Sequence, residues 1–186
     1  MTRDPRWEEQ LFALFDDLEQ QAEAAFAAER EGEVAEQARS AYAEVALAAR
    51  LMAAVGAPVS LTVEGVGALE GTLQRVAAGW CLLDVAGQGW IVRLPAVQVV
   101  RGLPARSVAE AAWPVTARLG LGSALRRVAE ARDPCRLLLR DGTTYDARLG
   151  RVGADFVEAH LGETPPGTRT GPVLVAFTAL AAVHPL

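Results

Sequence analysis

The sequence predicts an α+β protein in which an N-terminal helical arm precedes two small five-stranded β-barrels. Three observations predict it: apolar residues recur at helical spacing through residues 5–55, a later segment repeats itself without a gap, and each copy alternates short apolar strands with turn glycines. The expected boundaries are an acidic helical region at 1–56, the first barrel at 57–103, a short helical linker at 104–133 and the second barrel at 134–186.

The composition is that of a globular protein, with 51% hydrophobic and 22% charged residues in a chain of 186. Two cysteines, Cys81 and Cys135, are too few for a disulfide scaffold and favour a cytoplasmic protein. The N-terminus lacks the order of a signal peptide and no apolar run is long enough to span a bilayer, so we expect no membrane partner. All 18 basic residues are arginine, and the lack of lysine excludes Walker-A loops and Schiff-base chemistry.

The helical arm is predicted from residue 5 to residue 55. Pro5 after Asp4 is a typical helix start, and Gly56 followed by Pro58 ends the region. Gly32 lies in a polar stretch and predicts a break, which would give a helical hairpin; a coiled-coil arm is the alternative. Such an arm indicates self-association into a homo-oligomer or docking of a protein partner through residues 5–55, although a helical cover for the following domain is the other interpretation.

The repeat aligns residues 58–80 with residues 134–156 at an offset of 76. Residues 94–97 correspond to residues 177–180 at an offset of 83, because the second copy carries seven extra residues near 164–170. In the second copy, alternation and turn residues predict five strands, at 135–140, 144–152, 156–161, 172–176 and 181–184. Linking the copies, Ser107 is predicted to cap one short helix, and a second helix is expected to run to about Arg132.

These strands resemble the Sm-like (LSm/Hfq-like) barrel, through their order, the Asp141-Gly142 hairpin turn and the turn into the third strand; SH3-like barrels are the nearest alternative. In the first copy, Val99-Val100-Arg101-Gly102 resembles the Arg-Gly ending of the second Sm motif. The resemblance covers residues 57–103 and 133–186, and the whole chain resembles an actinobacterial protein family that joins helices to two such barrels.

The resemblance implies binding of single-stranded RNA by barrels assembled into a ring. Such proteins hold the base with an Asn or Asp after the second strand and with the Arg of the second motif. Asp155 stands at the first of these positions in the second copy, and Arg101 at the second position in the first copy. The chain contains no asparagine, and each copy keeps a different half of the pattern.

Charge is divided unevenly along the chain. Residues 1–54 carry 12 acidic residues against 5 arginines, whereas residues 118–151 carry eight arginines against four acidic residues. One interpretation is a phosphate-binding field; solvation of exposed faces, and binding of an acidic partner or of this chain's own acidic N-terminal region, are the others. The predicted nucleic-acid-binding residues are seven arginines and one aromatic residue for base stacking: Arg101, Arg126, Arg127, Arg136, Arg140, Arg148, Arg151 and Tyr145.

No group of residues predicts catalysis, a metal site or a cofactor. His160 and His184 lie in one copy, but a zinc site needs three or four ligands, and the two cysteines belong to different copies. We therefore expect a non-enzymatic protein, for which two functions stay open. The first is binding of nucleic acid, with single-stranded RNA favoured; the second is a scaffold that self-associates or docks partners through its helical arm and barrel edges.

Overall fold

The computed structural model describes residues 5–162 and 171–186, so the predicted loop at 164–170 lies outside the described residues. The chain divides into two units, Met1–Val45 and Ala46–Leu186. The helices are α1 (Pro5–Ala43), α2 (Leu47–Met52) and α3 (Leu121–Ala131). The strands are β1 (Pro58–Val63), β2 (Gly67–Ala77), β3 (Trp80–Val85), β4 (Gln88–Arg93), β5 (Val97–Arg101), β6 (Cys135–Leu139), β7 (Thr144–Val152), β8 (Phe156–Leu161), β9 (Val173–Ala176) and β10 (Leu180–Pro185).

Helix α1 is a single helix of 39 residues that runs through Gly32, so the predicted break and hairpin at that glycine are wrong. One glycine in a helix costs only about 1 kcal/mol relative to alanine, and its neighbours are good helix formers. The N-terminal pair of helices is instead divided at residues 44–46. Seven large apolar side chains of α1 are at least half exposed: Phe12, Leu14, Phe15, Leu18, Phe26, Val34 and Tyr42.

All ten strands belong to one antiparallel sheet, in the order β5-β1-β2-β3-β4-β10-β6-β7-β8-β9. The prediction of two closed five-stranded barrels joined by a helical linker is therefore wrong. The strands of the two repeats are joined by pairing of β4 with β10, in which Val92 lies opposite Ala182 and Ile91 opposite Val183. Alternation within a strand predicts which face is buried but not which strand lies beside it, so the sequence could not reveal this pairing.

Each repeat nevertheless contributes five strands in the same relative order, and the register repeats as well. Ser60 lies opposite Glu70 in the first hairpin, and Arg136 lies opposite Asp146 in the second, as the offset of 76 predicts. The second and third strands of each repeat also pair equivalently, with one register irregularity after Leu73 and one after Leu149. The predicted strands of the second repeat are confirmed to within two residues at each end.

The offset of 83 is equally visible in the last strand of each repeat. Arg101 of β5 lies opposite Ser60, and His184 of β10 lies opposite Arg136. Both ladders contain an irregularity at the equivalent place, after Thr62 in the first repeat and between β10 residues 180 and 182 in the second. Strands β5 and β10 are therefore structurally equivalent. So are strands β4 and β9, which precede them in the two repeats.

The segment between the repeats packs against the sheet. In place of the helix predicted after Ser107 it forms two short 3₁₀ turns, Glu110–Ala112 and Val115–Arg118, before α3 begins. The indole of Trp80 donates a hydrogen bond of 2.8 Å to the carbonyl of Leu119. Helix α3 packs on β7 and β8, so the segment is part of the folded unit rather than a separate connection.

Two hydrophobic cores lie within the sheet, and each includes residues from both repeats. The first core contains Leu61 and Leu83 together with Ala181 of β10, and the second contains Leu137 together with Trp80 of β3. Burying residues of one repeat in the core of the other makes the two repeats cooperative, because neither core is complete without its neighbour.

Both cysteines are buried free thiols, as expected from the repeat, in which Cys135 stands at the position of Val59 and Cys81 at that of Val157. Burial raises the pKa of Cys81 to about 12 and that of Cys135 to about 11, with the negative charge of Asp146 adding to the shift at Cys135. A protonated thiol is a much weaker nucleophile than a thiolate, so neither cysteine is activated for nucleophilic attack at neutral pH.

We expect iodoacetamide at pH 8 to leave both thiols of the native protein unmodified and to alkylate both in guanidinium chloride. The native thiols stay protonated, whereas the unfolded chain ionises them near their ordinary value of 9.0. Stability should accordingly fall as the pH rises above about 9, because the unfolded state loses these protons first. Mass spectrometry reads the modification, and rapid alkylation of either native thiol would contradict the buried placement.

Gly71 provides a test of the strand packing. A Cβ atom at this position would lie 2.1 Å from the backbone carbonyl oxygen of Asp84 on β3. We expect Gly71→Ala to lower the free energy of unfolding by about 1–3 kcal/mol, as overpacking does elsewhere. The matched control is Gly171→Ala, since no atom of the described residues lies within 4 Å of a Cβ there. Urea denaturation measures both, and equal stability of the two variants would refute the close approach.

Candidate functional site

Two of the predicted nucleic-acid-binding arginines form two-pronged ion pairs within the second repeat. Arg136 of β6 donates hydrogen bonds of 2.6 and 2.8 Å to the carboxylate of Asp146 on β7. Arg151 of β7 donates bonds of 3.0 and 2.8 Å to Glu158 on β8. These hydrogen bonds lower the pKa of both carboxyl groups, so the acids remain ionised and neutralise the arginines.

Two further predicted arginines are also paired with acids. Arg140 contacts Glu64 of the first repeat at 2.7 Å, and Arg127 contacts Glu130 on the same helix at 3.1 Å. The Arg127 pair is exposed and contributes little stability, whereas the Arg140 pair links the repeats. Four of the predicted arginines therefore have carboxylate partners, which the sequence did not reveal because each partner is brought close by strand or helix geometry.

The remaining predicted residues do not converge on one surface. Arg101 lies on the edge strand β5 in the first repeat, and Arg126 lies exposed on α3, 3.4 Å from the hydroxyl of Ser123. Tyr145 is half-buried on β7 and packs against the second core, so its ring is partly committed to the interior. Only Arg148 lies exposed on β7 without a carboxylate partner among the described residues.

Arg148 belongs to an open groove between the end of α3 and the β7–β8 hairpin, with a volume of about 570 Å³. The groove is also lined by Arg132, Arg151 and His160, with Glu158 as its acid. Because Arg148 and His160 lie directly opposite each other on neighbouring strands, their side chains share one face of the sheet. The groove therefore gathers three guanidinium groups and an imidazole around one carboxylate.

Backbone geometry holds two members of this groove in place. Arg132 follows the last residue of α3 with a φ of +58°, a left-handed backbone conformation that residues other than glycine rarely adopt. Gly150 leaves room for His160, since a Cβ at Gly150 would lie 3.0 Å from the imidazole Nε2. Sequence reasoning counted Arg132 among the clustered arginines without selecting it and weighed His160 only as a metal ligand; their closeness depends on the packing of α3.

A second, more apolar pocket of about 280 Å³ lies beside the β4–β10 pairing. It is lined by Ile91, Val128, Cys135 and His184 among others, and the His184 ring stacks on Trp90 with centroids 4.0 Å apart. The buried thiol of Cys135 is protonated, and the rings of Trp90 and His184 pack against each other. The arrangement stabilises the pairing between the repeats but gathers no reactive groups.

The two edge strands form a different kind of candidate site. Within the described sheet, β5 pairs only with β1 and β9 only with β8. Apolar side chains at these edges are exposed: Val99 on β5 at 42%, and Leu174 on β9 at 65%. At the equivalent positions of the β4–β10 pairing, Ala182 is fully buried and Ile91 partly buried. The edges therefore expose surface that the internal pairing covers.

Other chemistry finds little support in the described residues. Over residues 5–162 and 171–186, no three His, Cys, Asp or Glu side chains are grouped so that they could hold a metal ion. None of the helices that the structure describes is both long and apolar enough to cross a bilayer. The expectation of a non-enzymatic protein stays a prediction.

No protein-family model matches the chain, and no curated protein resembles it significantly. The resemblance to Sm-like barrels and to an actinobacterial family stays a prediction.

Proposed function

We propose that the protein is a self-associating interaction module whose copies join through the two edges of the sheet. One observation carries the proposal: the chain already contains this contact internally, as the pairing of β4 with β10. Strand β9 is the repeat equivalent of β4, and β5 is the equivalent of β10, by the offset of 83. The two strands left at the ends of the sheet are thus a second copy of the pair that is joined in its middle.

The internal pairing also supplies a register for the contact between copies. The internal pair of Val92 with Ala182 corresponds to Val175 of one copy opposite Val99 of the next. The internal pair of Ile91 with Val183 corresponds to Leu174 of one copy opposite Val100 of the next. Unpaired backbone N–H and C=O groups of an edge strand favour the addition of another strand.

The contact is head-to-tail, because it joins two different surfaces of the chain. A head-to-tail contact leaves one free edge of each kind on every dimer, so assembly continues until it closes into a ring or extends as a filament. Both edge strands are short, four residues in β9 and five in β5, and short edges limit uncontrolled pairing.

Helix α1 offers a further surface but does not carry the proposal. Its exposed apolar side chains could receive a protein partner. Two copies of the region would repel each other, since residues 1–54 carry 12 acidic residues against 5 arginines. Self-association is therefore assigned to the sheet edges, and α1 to docking of a different protein.

Charge substitutions at the two edges test the proposal. We expect Val99→Asp and Leu174→Asp each to abolish assembly of the full chain, because each places a charge in a contact that buries apolar side chains. A mixture of the two variants should give a dimer and nothing larger, since each variant retains the edge that the other lacks. Sedimentation velocity measures the masses over a range of concentrations.

The matched control is Val115→Asp, which places the same charge on a side chain that is 80% exposed and lies outside both edges. It should assemble like the wild type. A monomeric wild-type chain at all concentrations would refute the proposal, as would edge variants that assemble normally.

A second candidate function, binding of single-stranded nucleic acid, is favoured by one observation. Arg132 and Arg148 line the groove beside β7 and β8 without carboxylate partners among the described residues. The four ion-paired arginines weaken this candidate, because a neutralised guanidinium contributes little to phosphate binding. It therefore ranks below assembly through the edges.

A further inference from the structure

The groove between α3 and the β7–β8 hairpin has an excess of positive charge. Arg132, Arg148 and Arg151 bring three guanidinium groups, and Glu158 is the acidic residue among its lining. Glu158 is bound by Arg151 through two hydrogen bonds of 3.0 and 2.8 Å, and its side chain is only 14% exposed. The pair is internally neutral, which leaves Arg132 and Arg148 as two cations in the groove lining without a carboxylate partner among the residues that the structure describes.

These two cations are held there by the fold. Arg148 lies on β7 one residue beyond the ladder with β6, and its Cα position is fixed by pairing with His160 of β8. Arg132 takes a left-handed conformation at the end of α3, where glycine would be less strained. The left-handed conformation strains Arg132, and two like charges that line one groove repel each other. An anion bound between them would offset the repulsion.

We propose that this groove is a phosphate-binding site in which Arg132 and Arg148 bind the phosphate oxygens and His160 supplies a further hydrogen-bond donor. The planar fork of a guanidinium group matches the oxygens of a phosphate, and two arginines balance its two negative charges. Gly150 gives His160 its place beside Arg148, since a side chain at position 150 would meet the imidazole at 3.0 Å.

The phosphate could belong to a small phosphorylated molecule or to the backbone of a nucleic acid, which is the second candidate function. The site does not depend on self-association through β5 and β9, since its residues lie on α3, β7 and β8. It rests on the nucleic-acid candidate only where the phosphate is that of RNA, so the two sources need separate probes.

Two substitutions each remove one of the two positive charges and introduce a residue that suits the local backbone. Arg132→Gly supplies the residue that favours the left-handed conformation, so we expect equal or greater stability. Arg148→Thr places on β7 the residue that the first repeat has at its equivalent position, Thr72. The matched control is Arg75→Thr, an exposed arginine on β2 outside the groove.

The test measures binding of inorganic phosphate by calorimetry and of a labelled single-stranded RNA by fluorescence anisotropy, both with the full chain. We expect Arg132→Gly and Arg148→Thr each to weaken phosphate binding by about tenfold or more, as loss of a charge-assisted hydrogen bond does. Arg75→Thr should bind as the wild type does. RNA binding, where present, should fall with the same variants and weaken between about 50 and about 200 mM salt.

The outcomes separate the site from the nucleic-acid function. Phosphate binding that is lost in both groove variants, without RNA binding, supports the site and assigns it to a small phosphorylated ligand. Phosphate binding that the groove variants leave unchanged would overturn the proposed site, and RNA binding that is equally unchanged would then sustain the nucleic-acid candidate at another surface. Absence of phosphate and RNA binding in the wild type, or equal loss in Arg75→Thr, would overturn the site.

Discussion

The pairing of β4 with β10 is the constraint on which the rest of the structure depends. It joins ten strands into one sheet and lets each repeat bury residues in the core of the other. Other contacts reinforce it: Arg93 of β4 donates a hydrogen bond to the carbonyl of Phe177, and Arg140 pairs with Glu64 at 2.7 Å. Gly65 makes this approach possible, since a Cβ there would lie 2.2 Å from the carbonyl oxygen of Leu139.

The same pairing leaves strands β5 and β9 at the two edges of the described sheet. Two equivalent repeats supply two copies of the β4-type strand and two of the β10-type strand, but one chain can join only one of each. Strands β5 and β9 are what remains, and their exposed valine and leucine side chains are covered at the equivalent internal positions. Our proposal of self-association rests on this count of equivalent strands rather than on any motif.

Much of the fold could be predicted from the sequence, but the connection between the repeats could not. The register of both hairpins follows from the offset of 76, and the burial of Cys81 and Cys135 follows from their repeat positions. The predictions of two closed barrels and of a helix break at Gly32 were wrong. A repeat alignment carries no information on which strand of one copy lies beside the other, and one glycine is too weak a signal against 38 helix-compatible neighbours.

The candidate site was predicted only in part, because charge counts do not show which charges are compensated. Arg148 was predicted and lies exposed in a groove, whereas Arg136 and Arg151 are bound by Asp146 and Glu158. Arg132 was not selected, since only the packing of α3 on β7 brings the end of the helix to the groove. Such contacts bring residues that are distant in the sequence into one groove.

Hydrogen exchange on the full chain, at dilute and at high protein concentration, tests the central claim most directly. Amides of β4 and β10 should be protected equally at both concentrations, because their pairing lies within one chain. The amides of β5 and β9 that point away from β1 and β8 should gain protection only at high concentration, as expected if copies join through these edges. Edge amides whose exchange is independent of concentration, or rapid exchange in β4 and β10, would contradict the account.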